Sequence, residues 1–216
     1  MYIRFIKPFG SWLAALLFLV VLSPVFLIII LILLFANKGN VFFVQKRPGW
    51  NGKPFYLLKF KTMTDRSGPD GLPLPDLARQ TLVGNFLRNF HLDELPQCIN
   101  ILKGDMDLIG PRPLLMEYMP HYTSEQLARH ECKPGIIGLV QVMGGNQLPW
   151  HQRMRLDIFY ARHVSFQLDF LILWRTVKYF FGKKMKGTDE SLFGLETFIE
   201  HQNRSSNLNL RSNPNQ

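Results

Sequence analysis

Phe9–Ala36 reads FGSWLAALLFLVVLSPVFLIIILILLFA and carries no charged side chain. As one helix, at about 1.5 Å per residue, the run would extend roughly 42 Å, beyond the ~30 Å hydrocarbon core of a bilayer. A signal peptide has an apolar region of only ~7–15 residues and a small-residue cleavage site, which fits this run poorly. Hydropathy alone reads the run as a spanning helix. Two features oppose that reading. Ser23-Pro24 falls in the middle of the run, where proline deletes a backbone hydrogen bond and kinks or breaks a helix. Positive charge also flanks both ends, with Arg4 and Lys7 before it and Lys38, Lys46 and Arg47 after it, so charge asymmetry selects no orientation. A helix that enters the bilayer, breaks at Ser23-Pro24 and leaves by the same face satisfies both features. On sequence alone the spanning and re-entrant readings both stand.

Beyond Asn37-Lys38-Gly39-Asn40 the pattern changes to short strands. Val41–Val44 and Pro54–Met63 read as strands, and Asn51-Gly52 between them is a hairpin turn signal. On the second strand Phe55, Leu57, Lys59 and Lys61 share one face, and Tyr56, Leu58, Phe60 and Thr62 the other. Thr64–Asp76, rich in Gly, Pro and Asp, reads as a mobile surface loop. Helices are expected over Leu77–Arg88, Glu94–Leu102 (with Pro96 in its first turn), Ser124–Glu131 and Trp150–His163. Ser165–Phe181 places Phe166, Phe170, Leu173, Trp174, Val177, Phe180 and Phe181 on one helical face, followed by Lys183, Lys184 and Lys186. Such a stripe suits either a buried helix or one lying on anionic lipid. The tail is polar, and from Asn203 its Asn- and Ser-rich composition predicts disorder.

Across 216 residues the chain is 47% apolar and 13% aromatic, enough for a core, and its formal net charge is +9. That charge implies an anionic partner: nucleic acid, a phospholipid surface or a phosphorylated substrate. Cys98 and Cys132 are isolated and fit neither a zinc pattern nor a disulfide framework, which favours a reducing compartment. Nothing in the pattern specifies an oligomer.

The chemistry concentrates in Phe90–Leu115, FHLDELPQCINILKGDMDLIGPRPLL. Asp93 and Glu94 precede a proline-containing helix start, where an acid commonly serves as an N-cap. The same position, with free N–H groups and a favourable dipole, suits phosphate, and a carboxylate pair there prepares it for a phosphate-borne Mg²⁺. A carboxylate can also attack phosphorus and form an acyl phosphate. Arg112 sits between Pro111 and Pro113, which restrict its backbone to an extended form, so its fork-shaped guanidinium is presented with little entropy left to lose. The plainer reading is a surface arginine in a proline-rich loop, and Asp105 upstream reads as a turn residue. Lys59, Lys61, Arg47 and Arg88 together could neutralise a diphosphate; singly, each reads as a solvated charge. Lys133–Asn146, KPGIIGLVQVMGGN, is glycine-rich and would let backbone approach a ligand closely. It lacks the Lys-Ser/Thr ending of a P-loop, so ATP binding is unsupported. The six histidines show no metal-ligand spacing.

These residues in conjunction resemble the small monotopic bacterial phosphoglycosyl transferases, the initiating sugar-phosphate transferases of polysaccharide and glycoprotein pathways, of the bacillosamine-phosphate transferase type. The resemblance is carried by Ser23-Pro24, by QKRPGWNGKPFYLLKFKTM at 45–63, by LDELPQCINILKGDMDLIGPRPLL at 92–115 and by KPGIIGLVQV at 133–142, in order over roughly residues 1–182. It implies an α/β, helix-rich monotopic membrane protein. Residues 1–37 would form a re-entrant helix broken at Ser23 and Pro24, residues 38–187 a compact catalytic domain with a short β-hairpin and amphipathic interfacial helices, and residues 188–216 a polar tail. It places the catalytic domain on the cytoplasmic face of the bacterial inner membrane.

The resemblance further implies that Asp93 attacks the sugar-linked phosphorus of a UDP-sugar, releases UMP and passes the phosphosugar to undecaprenyl phosphate. Glu94 would assist as base or electrostatic partner. Mg²⁺ would bridge Asp93 and the diphosphate, and Lys59, Arg88 and Arg112 would hold phosphate. Two departures stand out: Gly145 where the family commonly has an arginine, and Asp107 where it usually has a serine. The first gives weight to an alternative, a catalytically impaired membrane-anchored homologue that binds or organises pathway components. A nucleic-acid binder rests on charge alone, with no nucleic-acid motif and no basic–aromatic stacking surface to support it.

Overall fold

The computed structural model describes residues 1–180. The expectations for Phe181, for the lysines after it and for the 188–216 tail therefore lie outside the described residues, as does the Phe180 side chain. A π-helical turn, Tyr2–Ile6, leads into α1 (Lys7–Val21), and α2 (Ser23–Ala36) follows after Leu22, whose φ −91°, ψ 7° leaves the helical region. The apolar run is thus two helices. Ser23 and Pro24 are the first two residues of α2, where the proline's missing N–H has no intrahelical partner to lose. The Ser23 hydroxyl donates to the Val20 carbonyl at 2.8 Å, so the break satisfies a carbonyl at the end of α1.

Both halves of the run dock onto one folded body. Ala15 of α1 packs with Phe55, Leu57, Cys98 and Ile101, and Ile29 and Leu33 of α2 pack with Val41, Phe60 and Leu87. At the head of α1, Lys7 is buried. Its ammonium donates to Asp169 Oδ2 (2.7 Å), Tyr160 Oη (2.7 Å) and the Ile109 carbonyl (2.9 Å), one acceptor for each of its three N–H groups. The Tyr2 hydroxyl joins the same Asp169 oxygen at 2.6 Å. Lys7, counted in the sequence as a charge flanking the membrane, is instead a tether inside the protein.

Strands β1 (Phe42–Pro48) and β2 (Pro54–Phe60) pair antiparallel from Phe42↔Phe60 to Pro48↔Pro54. The expected turn forms, with positive φ at Asn51 (52°) and Gly52 (71°), the conformation that Asn-Gly tolerates best. β2 ends at Phe60, short of the expected Met63, because Met63 bridges Gln80 instead. That bridge also splits the helix expected over Leu77–Arg88 into α3 (Asp76–Arg79) and α4 (Leu82–Asn89). Gln80 is extended, and the Thr81 hydroxyl accepts from the Gly84 N–H at 2.9 Å, starting a new helix as its N-cap.

A 3₁₀ turn, Leu92–Glu94, precedes α5 (Gln97–Lys103), which begins three residues later than expected with Pro96 at its N-cap. Neither Asp93 nor Glu94 caps this helix. Strand β3 (Asp107–Ile109) runs parallel to β4 (Gly135–Ile137), with α6 (Ser124–Leu127) and a 3₁₀ turn, Ala128–His130, between them in place of one helix to Glu131. Then come α7 (Leu139–Val142), α8 (Trp150–Arg162) and α9 (Phe166–Phe180). Leu168 and Ile172 of α9 are fully buried with Leu139, Leu156 and Tyr160. Phe166, Phe170, Trp174 and Val177 point outward, so the aromatic stripe is not the core face of α9.

Candidate active site

The hairpin, α4 and the segment after β2 enclose a cavity of about 330 Å³ lined by Arg47, Lys59, Lys61, Arg79 and Arg88 and by three carboxylates. Two of these are already paired: Asp65 with Lys61, and Asp76 with Arg79 at 2.7 Å. Asp93 is the third, and among the described residues it has no hydrogen bond or ion pair. The local fold explains its position. His91 takes a left-handed conformation (φ 56°), which turns the chain out of α4 and into the 3₁₀ turn. Lys59 stands on the β2 face whose other members, Phe55 and Leu57, are buried against α5. α5 itself is stitched to β2 by Asn100, which accepts from the Leu58 N–H (3.0 Å) and donates to the Tyr56 carbonyl (2.8 Å), as a neighbouring strand would. Arg88 on α4 donates to the Thr62 hydroxyl at 2.9 Å. α4 comes that close because Gly84 has no Cβ, which would sit 2.0 Å from the Thr62 carbonyl.

Glu94 lies beside Asp93 in a different environment. Its Oε1 accepts from both Lys59 Nζ (2.8 Å) and Arg112 Nη2 (2.5 Å). Burial alone would raise its pKa, but the charges and hydrogen bonds of Arg112 and Lys59 overcome that and hold it at about 2. Asp93 goes the other way. Burial and then the Glu94 charge raise it, opposed by Lys59, Arg88 and His91. The pair is therefore polarised into one fixed anion and one unpartnered carboxylate. Burial and then the charge of Arg112 lower the Arg47 pKa.

The sequence-derived candidates thus gather at one place: Asp93, Lys59 and Arg88 in the cavity wall, with Glu94 joining Lys59 to Arg112. Arg112 is not a free surface charge. The glycine-rich 133–146 stretch does something other than expected. Cβ atoms at Gly135 and Gly138 would sit 2.1 Å and 2.6 Å from the Gly110 backbone, so these glycines let two chain segments approach each other rather than a ligand. Gly145 has φ 56° and open space where its Cβ would be. Asp107 is buried beside the charges of Lys7 and Lys133, which oppose the upward push of burial on its pKa. Sequence reasoning missed Arg129 and Asp157, a buried ion pair (2.6 Å) whose arginine also holds the Arg112 carbonyl. The available signal was Asp157 itself, which shares the apolar face of α8 with Met154, Ile158 and Ala161. Among the described residues no three His, Cys, Asp or Glu side chains cluster to hold a metal.

The sequence model of the bacterial sugar transferase family matches residues 2–183, most of the chain and all of this site. The chain belongs to the bacterial sugar transferase family. Among curated relatives it is 47% identical over 165 residues to the uncharacterized sugar transferase EpsL of Bacillus subtilis, covering 76% of this chain and 82% of that protein. It is 35% identical over 196 residues to the exopolysaccharide production protein ExoY of Rhizobium meliloti, covering 80% and 87% of the two chains. It is 37% identical over 171 residues to the UDP-glucose:undecaprenyl-phosphate glucose-1-phosphate transferase of Klebsiella pneumoniae, covering 74% of this chain and 37% of that longer protein. The transferase is an enzyme of this group, and Asp93 of its polarised carboxylate pair lines a cation-rich cavity while Glu94 is held by Lys59 and Arg112.

Proposed function

We propose that this protein transfers a sugar 1-phosphate from a UDP-sugar to undecaprenyl phosphate through a covalent intermediate on Asp93. One observation carries the reading: of the three carboxylates lining a cavity rich in cations, only Asp93 lacks an ion partner among the described residues. In the first step an Asp93 oxygen attacks the sugar-bearing phosphorus. The acyl-phosphate bond forms, the bond to the bridging diphosphate oxygen breaks, and UMP leaves with that oxygen. In the second step a phosphate oxygen of undecaprenyl phosphate attacks the same phosphorus, giving the lipid diphosphate sugar and restoring the Asp93 carboxylate. Glu94, ionised well below neutral pH, acts as an electrostatic anchor for Lys59 and Arg112 rather than as a base. Those two and Arg88 hold phosphate.

The donor set suits Mg²⁺, which commonly takes one or two protein carboxylates and completes its shell with phosphate oxygens and water. Asp93 is the carboxylate available for it, and when bound the ion would neutralise diphosphate charge.

The reading includes a small monotopic arrangement of the bacillosamine-phosphate transferase type, with α1 and α2 re-entering the inner membrane from its cytoplasmic face. It is supported by the docking onto the same body of Lys7, just before the run, and of Leu33, near its end. Three outward apolar faces add support: the α1–α2 surface, Phe166, Phe170 and Trp174 of α9, and Leu82 and Phe86 of α4 with Phe90 just beyond it, α4 being the helix that brings Arg88 to the cavity. An active site held at headgroup level keeps the lipid phosphate within reach.

The test is UMP release from a panel of UDP-sugars by detergent-purified protein with undecaprenyl phosphate and Mg²⁺. Release that needs metal and lipid, and that disappears in Asp93→Asn, is expected. Near-normal turnover in Asp93→Asn would overturn the covalent mechanism, and no release from any sugar by folded wild-type protein would overturn the function.

A further inference from the structure

Pro111-Arg112-Pro113 presents three consecutive carbonyls and a single N–H. A different element holds each carbonyl. The Pro111 carbonyl accepts from the Gly135 N–H of β4 at 3.0 Å. The Arg112 carbonyl accepts from Arg129 Nη2 at 2.9 Å, and the Pro113 carbonyl from Arg47 Nη1 at 3.3 Å. The peptide planes before and after the Arg112 Cα are therefore both fixed. Because a residue has only two soft backbone dihedrals, two fixed planes determine where its side chain leaves the chain. From that point the Arg112 guanidinium reaches Glu94 at 2.5 Å.

Gly135 can hold the first plane only because it lacks a Cβ. The second plane depends on a charged side chain placed inside the protein. Arg129 is 2% exposed and Asp157 of α8 is 5% exposed. Asp157 Oδ2 takes Arg129 Nη2 at 2.6 Å and Nε at 3.2 Å. Neither residue lines the catalytic cavity. A buried ion pair is a poor stabiliser, since apolar side chains of similar volume commonly do as well or better. Apolar side chains cannot donate to the Arg112 carbonyl.

We infer that Arg129, oriented by Asp157, is a positioning residue that sets the direction in which Arg112 is presented to substrate phosphate. The inference deepens the proposed function and rests on its assignment of Arg112 to phosphate. Arg129 touches no substrate and acts only through the plane that it holds. If that plane turns, the guanidinium still carries its charge but reaches the phosphate from a wrong or varying origin.

The experiment compares kcat and KM for UMP release by full-length protein, using the UDP-sugar that wild type turns over best. The central variant is Arg129→Met with Asp157→Leu, which removes both buried charges together and keeps the volume. It is measured alone and combined with Arg112→Ala. Expected is a melting temperature within about 3 °C of wild type, a kcat/KM loss of about 10- to 100-fold, and less than about twofold further loss once Arg112 is already alanine. Unchanged activity would overturn the inference. So would the same fold loss in both backgrounds, because that is how a purely structural role behaves. Should the paired variant fail to fold, Arg129→Lys keeps the charge beside Asp157 but loses the fork, and the same comparison of backgrounds decides. Wild-type protein that releases no UMP would overturn the transferase reading itself, an outcome distinct from either of these.

Discussion

Asp93 and Glu94 are adjacent in sequence yet shifted in opposite directions in pKa: one 3₁₀ turn hands Glu94 to ion pairs with two cations and leaves Asp93 buried beside it without one. Pushing two like groups apart in pKa is a common way to give them separate tasks. In the 3₁₀ turn Ala128–His130, beside Arg129, His130 shows the same physics acting on stability. Burial first, and then the charge of Arg129, pull its pKa down to about 4, against a hydrogen bond with the Gly49 backbone. Between pH 6.5 and 4 the unfolded chain binds a proton here that the folded chain does not, so stability rises with pH across that window. The contribution is complete above pH 6.5 and is lost as pH falls toward 4. His130→Phe removes this titration. In denaturant melts, wild type should lose about 3 kcal/mol more than the variant between pH 7 and pH 4. Parallel pH curves for the two proteins would show that His130 is not held neutral.

The residues of the site were legible where their meaning is local. An acid pair before a proline and an arginine between two prolines constrain themselves. Lys7, Arg129 and Asp157 were misread or missed because their partners lie 162 and 28 residues away along the chain.

At the scale of elements, hydrophobic period and turn chemistry located most helices and the hairpin, and tertiary contacts moved their ends. Thr81 sat inside a helical pattern, but the Met63–Gln80 bridge made it a cap. The α9 stripe had the right period, but period alone left open whether it was a core face or an outward one, and the fold turns Phe166, Phe170, Trp174 and Val177 outward. Glycines divide the same way. A methyl group at Gly135 would lie 2.1 Å from the Gly110 N–H, whereas one at Gly145 would meet nothing within 4 Å. Gly135→Ala must push β4 off β3 and disturb the Pro111 carbonyl, so a loss of about 2–4 kcal/mol is expected. Gly145→Ala carries only the strain of its positive φ, about 1 kcal/mol. Chemical denaturation of both variants checks the ranking. Equal losses would mean that β3 and β4 yield more easily than their spacing implies.

On the scale of the whole molecule, the apolar run is governed at three places: the Ser23-Pro24 break, Lys7 at one end and Leu33 at the other. For α1 and α2 to straighten into a spanning helix, the head of α1 must leave the catalytic body. That exposes Tyr2 and Lys7 and strands Asp169, 4% exposed, inside the protein with its ion partner gone. Breaking a buried pair in this way costs about 3–5 kcal/mol. Replacing Pro24 by alanine makes a continuous helix easier but supplies little against that cost, because the proline already sits in a first turn, where it is well tolerated. The tether should therefore dominate the break. With a reporter cysteine at Ile3, Pro24→Ala alone should stay labelled from the same side as the catalytic domain. Adding Asp169→Ala should move part of the label to the opposite side. Cys98 and Cys132 are buried and will contribute little background. Translocation of the reporter in Pro24→Ala alone would reverse this ranking and make the proline, rather than a lysine and an aspartate far apart in sequence, the element that decides how the protein sits in its membrane.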